Sequence, residues 1–302
     1  MRTLPIVRLA ILFALSSAAC TEREEDSRLR KTWGECTRNT ECGAGRICRN
    51  RKCVDTPPSP SGSALVPPEG MVHVPAGEFL MGSNRGLSLE RPQVQSRTQD
   101  FFIDLNEVTV EAWQACQQAG HCPEPRCTQN ERPSTAPITC VTQDAAAAYC
   151  AFTKKRLPTE EEWEKAARGV DARTYPWGEP PPSCERANFA GCTATEGPEP
   201  VGTHPTGAGP YGTLDQAGNA WEWTASTRRP WDQESDPRRL QAGHAPPTVS
   251  GPPPKARKQT FFIIRGGSYL DPPASLRTSQ RLLLAQDFYS RALGFRCVAD
   301  PR

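Results

Sequence analysis

Apolar residues recur at helical spacing only in the middle of the chain, where three segments each begin with a capping residue. VEAWQACQQAG follows Thr109 and QDAAAAYCAFTKK follows Thr142. In LPTEEEWEKAARG, Thr159 and Glu162 form a capping box, and Gly169 ends the segment. These patterns predict three helices. After Gly169 helical periodicity nearly vanishes, which predicts mainly turns and short strands.

Strand patterns flank the helical region. MVHVPAGEFLMGS, which opens the main domain near Met71, alternates apolar residues and meets Gly77 and Gly82, so it predicts a hairpin. Near the other end, the apolar run FFII leads into RGGSYLDPPASL. The pair Gly266-Gly267 follows directly after this predicted strand. It indicates either a positive φ or another group packed closely against the backbone there.

Proline and glycine mark the irregular parts of the chain, with 31 and 23 residues in 302. Residues 56–70, TPPSPSGSALVPPEG, cannot bury apolar surface and predict a linker. Residues 225–258 are rich in proline and arginine and predict a surface insertion within the main domain, 71–302. The formal net charge of +2 provides no basic field, so nucleic acid is not an expected partner.

The first residues have the features of an export signal. Residues 1–19 combine two arginines, an apolar run and small residues before Cys20, which predicts a signal peptide. SAAC resembles a bacterial lipobox, with Cys20 acylated; ordinary cleavage after Ala19 is the alternative. Removing Cys20 from 13 cysteines leaves an even number, which favours the anchor. We therefore expect a lipoprotein of the bacterial envelope, held at the outer membrane by Cys20, with residues 20–32 as its tether.

Cysteine-rich segments indicate an oxidising compartment. Residues 33–55 carry Cys36, Cys42, Cys48 and Cys53 without the CxxC pairs that grip zinc, so two disulfides in place of a core are expected. A further set in the main domain predicts two more bridges of open pairing: Cys116, Cys122, Cys127 and Cys140. The four histidines are scattered, so no histidine-bound iron triad is expected.

Several blocks occur in a recognisable order from Met71 to the C-terminus. They are MVHVPAGEFLMGS, EVTVEAW, AAAAYCAFTKKRLPTEEEWEKAARG, YPWG, GNAWEWT, RGGSY and LGFRC. In these blocks the chain resembles the formylglycine-generating enzyme, or sulfatase-modifying factor, family. The resemblance implies an α+β fold of low regular content, the family's variant of the C-type-lectin-like fold, with bound calcium. It also implies a disulfide between Cys150 and Cys297.

The family's catalytic thiols are absent from the matching positions. In the family motif the first thiol falls three residues after the serine of RGGS and the second five residues further on. Counted from Ser268, these positions are Asp271 and Leu276. Because copper(I) prefers thiolate sulfur, copper is not an expected cofactor. Ser268 has no local base to make it a hydrolase nucleophile.

A second family bridge lacks both of its cysteines. By the resemblance, this bridge joins the helix from Glu160 to Gly169 to a position much later in the chain. The two positions read Ala167 and Arg281. Loss of both cysteines together supports the alignment of this chain with the family motif. A shifted alignment would usually retain one cysteine without its partner.

Calcium is the one cofactor that the resemblance retains. By the family pattern, one site uses the side chain of Asp215, the carbonyls of Gly218 and Ala220, and the carboxylate of Glu222. Carboxylates and carbonyls around a tight turn suit a hard cation.

A second calcium site is weaker. Asn188 and the carbonyl of Phe189 match it, but its aspartate falls at about Thr193. We hypothesise that a disulfide between Cys184 and Cys192 holds this loop in place of the ion.

Three functions are compatible with these residues. The first is a non-catalytic or divergent binding member whose lectin-like scaffold binds a protein or peptide partner, or a glycan. The second is a formylglycine-generating oxidase acting on sulfatase cysteines, for which no compensating thiol is found. The third is a different enzyme that uses Asp271, since the fold alone does not fix the chemistry.

Overall fold

The computed structural model describes residues 46–49, 52–55, 65–128, 132–192, 197–228 and 260–301. The chain divides into two compact units, Met1–Gly62 and Ser63–Arg302. The predicted signal peptide, Cys20, Cys36 and Cys42 lie outside the described residues, as do residues 56–64 of the linker and most of the insertion.

In the first unit the structure describes one antiparallel hairpin. Its strands are β1 (Arg46–Arg49) and β2 (Lys52–Asp55), and Cys48 and Cys53 are directly opposed in its register. The pairing of the four cysteines in this module stays a prediction.

The described part of the second unit mixes short strands with three α-helices. The strands before the helices are β3 (Met71–Val74), β4 (Gly77–Met81), β5 (Val94–Thr98) and β6 (Phe101–Asp104). The helices are α1 (Val110–Gln118), α2 (Gln143–Phe152) and α3 (Glu160–Arg168). The later strands are β7 (Trp221–Thr227), β8 (Phe261–Arg265), β9 (Arg281–Ala285), β10 (Leu293–Gly294) and β11 (Val298–Ala299).

All three helices begin directly after the predicted threonine, and in two of them the threonine side chain accepts a backbone N–H of the helix. Thr109 accepts the N–H of Ala112, and Thr159 with Glu162 forms the capping box that begins α3. Thr142 is the N-cap of α2, but its hydroxyl donates to Asp144 instead of accepting a backbone N–H.

The predicted hairpin within residues 71–83 is wrong. β3 pairs with β6 and β4 pairs with β5, so the two strands belong to different sheets. Gly77, at φ 140°, lies at the change of direction between them. Alternation of apolar and polar residues indicates a half-buried strand but does not identify the strand that pairs with it. Here β6 pairs with β3, and β5 pairs with β4.

Four strands build the sheet beneath the candidate site, in the order β10-β7-β8-β9. β10 runs parallel to β7, and the other neighbours are antiparallel. A three-stranded sheet, β11-β6-β3, lies elsewhere in the unit. The predicted insertion begins later than residue 225, because Ala225 to Thr227 complete strand β7.

Tryptophans dominate the core of the second unit. Trp113, Trp163 and Trp223 are fully buried and Trp221 is nearly so, as expected of a turn-rich core in which large aromatics supply most of the buried apolar area. Trp113 lies in the main cluster with Tyr149 and Phe295. Within the described ranges, no helix has the length and apolar character needed to cross a membrane.

Four disulfides hold the irregular chain of this unit. Cys150 and Cys297 are bridged across 147 positions, with Cα atoms 5.7 Å apart, and Cys184 is bridged to Cys192. The two pairings that the sequence left open are Cys116–Cys122 and Cys127–Cys140.

Candidate functional site

The glycine pair after β8 lies against the rest of the fold. Gly266 and Gly267 have φ values of 102° and 77°. A Cβ on Gly267 would lie 2.9 Å from Leu276 Cδ2, and one on Gly266 would lie 3.4 Å from the Trp163 ring. The turn therefore needs glycine because core side chains approach it closely.

Asp271 is held by two donors inside this turn. Its Oδ2 accepts the indole N–H of Trp221 at 2.8 Å and the hydroxyl of Ser268. Its backbone is also fixed, because its carbonyl accepts the N–H of Ala190. Only 7% of Asp271 is exposed, so the carboxylate is a buried acceptor in the place where the resemblance predicts the family's first thiol.

Leu276, at the predicted position of the second family thiol, is an apolar side chain. It ends the short 3-10 turn Pro273–Leu276 and is fully buried. It packs in a small apolar cluster with Ala187, Phe189 and Ala217. The site at this turn therefore contains one carboxylate, one hydroxyl and an apolar plug, with no thiol.

A separate polar cluster surrounds the tight turn that precedes β7. Asp215 and Asn219 both have φ 59°, in the left-handed region. Asp215 Oδ2 accepts the N–H of Gly202 at 2.6 Å, and Asn219 donates to Glu107 Oε1 at 3.1 Å. Glu107 precedes α1 in sequence and is buried here beside Asp215.

Burial changes the acidity of both carboxyls. Loss of solvent and then the charge of Asp215 raise the pKa of Glu107 well above its usual range. Burial also raises the pKa of Asp215, against the opposing effect of the Gly202 N–H.

Glu222 is occupied by a different partner. Both of its oxygens accept from Arg296, at 2.8 Å each, and Oε2 also accepts the indole N–H of Trp163 at 2.7 Å. All three side chains are fully buried. Glu222 therefore forms a bidentate ion pair with Arg296. Its role as a calcium ligand stays a prediction.

Comparisons with known protein families and with individual proteins assign the chain to one family. Residues 57–301 match the model of the Sulfatase-modifying factor enzyme 1-like domain. A mouse protein named inactive C-alpha-formylglycine-generating enzyme 2 is 30% identical over 295 residues, covering 76% of this chain and 85% of that protein.

The chain belongs to the sulfatase-modifying factor family.

Two further similarities extend the family assignment. The hercynine oxygenase of Mycolicibacterium smegmatis is 37% identical over 155 residues, covering 50% of this chain and 34% of that protein, so the chain spans about a third of such relatives. PvdO of Pseudomonas aeruginosa has a similar structure, with a TM-score of 0.58, 22% identity, and coverage of 76% of this chain and 93% of PvdO. The predicted α+β fold of low regular content, the family's variant of the C-type-lectin-like fold, is confirmed.

Ion pairs of Arg281 lie at the expected position of the family's second disulfide. Arg281 donates to Glu160 at 2.8 Å and to Glu164 at 3.1 Å, both on α3. Ala167, the other bridge position, is fully buried on the same helix. Ion pairs therefore join β9 to α3 where other family members are expected to have a disulfide.

The loop expected to hold the second family calcium is closed by Cys184–Cys192. The carbonyl of Phe189 accepts the N–H of Cys192, and the carbonyl of Asn188 accepts that of Asn219. Asn188 Oδ1 is buried and has no hydrogen-bond partner among the described residues. Thr193 lies outside them, so replacement of the ion by the disulfide stays a hypothesis.

Glu107 opens the family block EVTVEAW, but the sequence pattern assigns it no role. The available signal was a glutamate in LNEVTV, a run that is otherwise mostly apolar. A carboxylate in such a run is buried only where it finds a partner. That partner, Asn219, lies 112 positions away in sequence, and only the fold identifies it.

Proposed function

We propose that this protein is a non-catalytic or divergent binding member of the sulfatase-modifying factor family. The observation that carries the proposal is the content of the turn after β8, where Asp271 is fixed by Trp221 and Ser268 and Leu276 is buried. In the proposed role the protein is exported, anchored in the bacterial envelope through acylated Cys20, and binds a protein or peptide partner, or a glycan.

The chemistry of the turn supports loss of the copper reaction. Copper(I) requires soft ligands, and an aspartate oxygen with a leucine methyl provides none. All eight cysteines from Cys116 to Cys297 are in disulfides, so the described part of the second unit has no spare thiol to compensate. The name of the mouse relative, an inactive enzyme, is in line with a branch of this family that has lost the activity.

The experiment measures copper(I) binding and conversion of a sulfatase-derived CxPxR peptide by the purified protein. We expect neither, because no dithiolate can form. The double variant Asp271→Cys/Leu276→Cys is the matched control: it restores both thiols on the same scaffold and should gain copper(I) binding. Peptide conversion by the wild-type protein above a heat-denatured blank would contradict the proposal and favour the oxidase.

A further inference from the structure

Two arginines beside the turn after β8 have no acidic partner among the described residues. Arg132 donates from Nη1 to the hydroxyl of Thr139 and from Nη2 to the carbonyl of Arg291, the latter at 3.2 Å. Both acceptors are neutral, and the ion pairs of the described residues include neither arginine. Because guanidinium groups stay charged at neutral pH, no carboxylate in the described part of the chain balances this pair.

The two arginines lie close to Tyr269. Partial burial lowers the pKa of Arg132; the phenol of Tyr269 opposes this effect, and the positive charge of Arg291 adds to it. Groups whose charges act on each other in this way are near neighbours. Arg132 is half-buried and Arg291 is exposed, so both guanidinium groups can be reached by a ligand at this part of the surface.

An exposed apolar side chain lies next to this charge. Leu270 is 55% exposed, although its neighbours in the chain, Tyr269 and Asp271, are both buried. The backbone around it is fixed, because the N–H of Leu270 donates to the Ser268 hydroxyl at 3.3 Å and the N–H of Asp271 donates to the Ser268 carbonyl at 3.0 Å. One exposed leucine is ordinary, but beside two unpaired cations it gives a surface with both apolar contact and positive charge.

We propose that Arg132, Arg291 and Leu270 bind an acidic peptide segment of a protein partner, with carboxylates on the guanidinium groups and an apolar side chain against Leu270. The inference rests on the proposed binding function and specifies the chemistry of its partner. Guanidinium groups match carboxylates in geometry and charge, and arginine is enriched at protein interfaces. A peptide provides carboxylates and apolar side chains within a few residues, whereas an anionic glycan has no apolar side chain for Leu270.

The test selects from a displayed library of random peptides on the purified wild-type protein. We expect the enriched peptides to be rich in aspartate and glutamate and to contain an aliphatic or aromatic residue. Binding of an enriched peptide, measured by fluorescence anisotropy, should weaken about tenfold in Arg132→Gln and about threefold in Arg291→Gln, because solvent screens the half-buried arginine less. Added salt should also weaken binding to the wild type.

Each variant has a matched control. Arg97→Gln removes the same charge from an exposed position on β5, which belongs to a different sheet, and should leave binding unchanged. Leu270→Ser should weaken binding, whereas Leu87→Ser, at a leucine that is also 55% exposed, should not. Arg291→Gln alters only an exposed side chain, so it still tests the surface if Arg132→Gln fails to fold.

Three outcomes overturn the inference. One is a selection that enriches no peptide, and another is enrichment of peptides without acidic residues. The third is an affinity that the two arginine variants lower no more than Arg97→Gln does. Heparin binding that depends on both arginines, without any enriched peptide, would assign the surface to a glycan instead. All of these leave the proposed loss of catalysis in place, since only conversion of the CxPxR peptide by the wild-type protein contradicts that.

Discussion

At the residue scale, Asp271 acts as a structural acceptor in a place where family members are expected to have sulfur. It satisfies the N–H of Trp221 and the hydroxyl of Ser268, two buried donors that would otherwise be unpaired. A cysteine there would accept hydrogen bonds more weakly. The substitution therefore exchanges a reactive group for one that fixes the turn.

Asp271→Ala should destabilise the protein, because it leaves the buried Trp221 N–H without an acceptor. An unsatisfied buried donor costs about 1–3 kcal/mol, and we expect a loss in the free energy of unfolding within that range. Urea denaturation followed by tryptophan fluorescence measures it. The exposed Glu111→Ala is the reference, and a loss for Asp271→Ala no larger than the reference would show that the hydrogen bond is dispensable.

At the element scale, helix α3 is joined to the sheet by buried charges. Glu164 accepts from Arg168 and Arg265 as well as from Arg281, and also binds the N–H of Gly82. Arg281 further contacts Glu160. Such a network specifies how α3 packs on the sheet, since each group is costly to bury without its partners.

Arg281→Met should lower the free energy of unfolding by about 3 kcal/mol, because it removes one partner of a buried ion pair. The control is Arg228→Met, whose arginine is 3.6 Å from Glu160 and partly exposed, and which should cost less than about 1 kcal/mol. Chemical denaturation of both variants checks the difference. Equal losses in the free energy of unfolding would show that the buried ion pair of Arg281 stabilises the protein no more than the partly exposed one of Arg228.

The same network gives a pH dependence with a definite sign. Burial raises the pKa of Glu164, but the charges of Arg265, Arg281 and Arg168 outweigh it and hold that pKa below its usual value. The stabilisation is therefore present above the unfolded pKa and is lost as pH falls through the lower, folded pKa. In Arg281→Met the pKa of Glu164 should rise, so the acid loss of stability should begin at a higher pH than in the wild type.

At the scale of the whole molecule, disulfides compensate for the scarcity of regular structure. Cys150–Cys297 joins α2 to the chain just before β11, and it lies fully buried in the main core. A bridge across 147 positions restricts the unfolded chain far more than Cys116–Cys122, which spans 6.

Replacing Cys150 and Cys297 together with alanine should cost about 5 kcal/mol by loop-closure entropy, against about 2 kcal/mol for the pair Cys116 and Cys122. Joint replacement leaves neither partner of the removed bridge as a free thiol. Equilibrium unfolding under non-reducing conditions measures both losses. A greater loss from the short bridge would show that native packing, and not chain entropy, sets the contribution of these bridges.

The sequence by itself determined where the helices start, the family and the absence of thiols at positions 271 and 276, because each depends on residues close together in the chain or on their order. Only the tertiary structure decided which strand pairs with β3, which cysteines join in the middle of the chain, and that Glu222 pairs with Arg296. It also brought Glu107 to Asp215. Partners distant in sequence are chosen by competition among many candidate contacts, and the packed fold decides that competition.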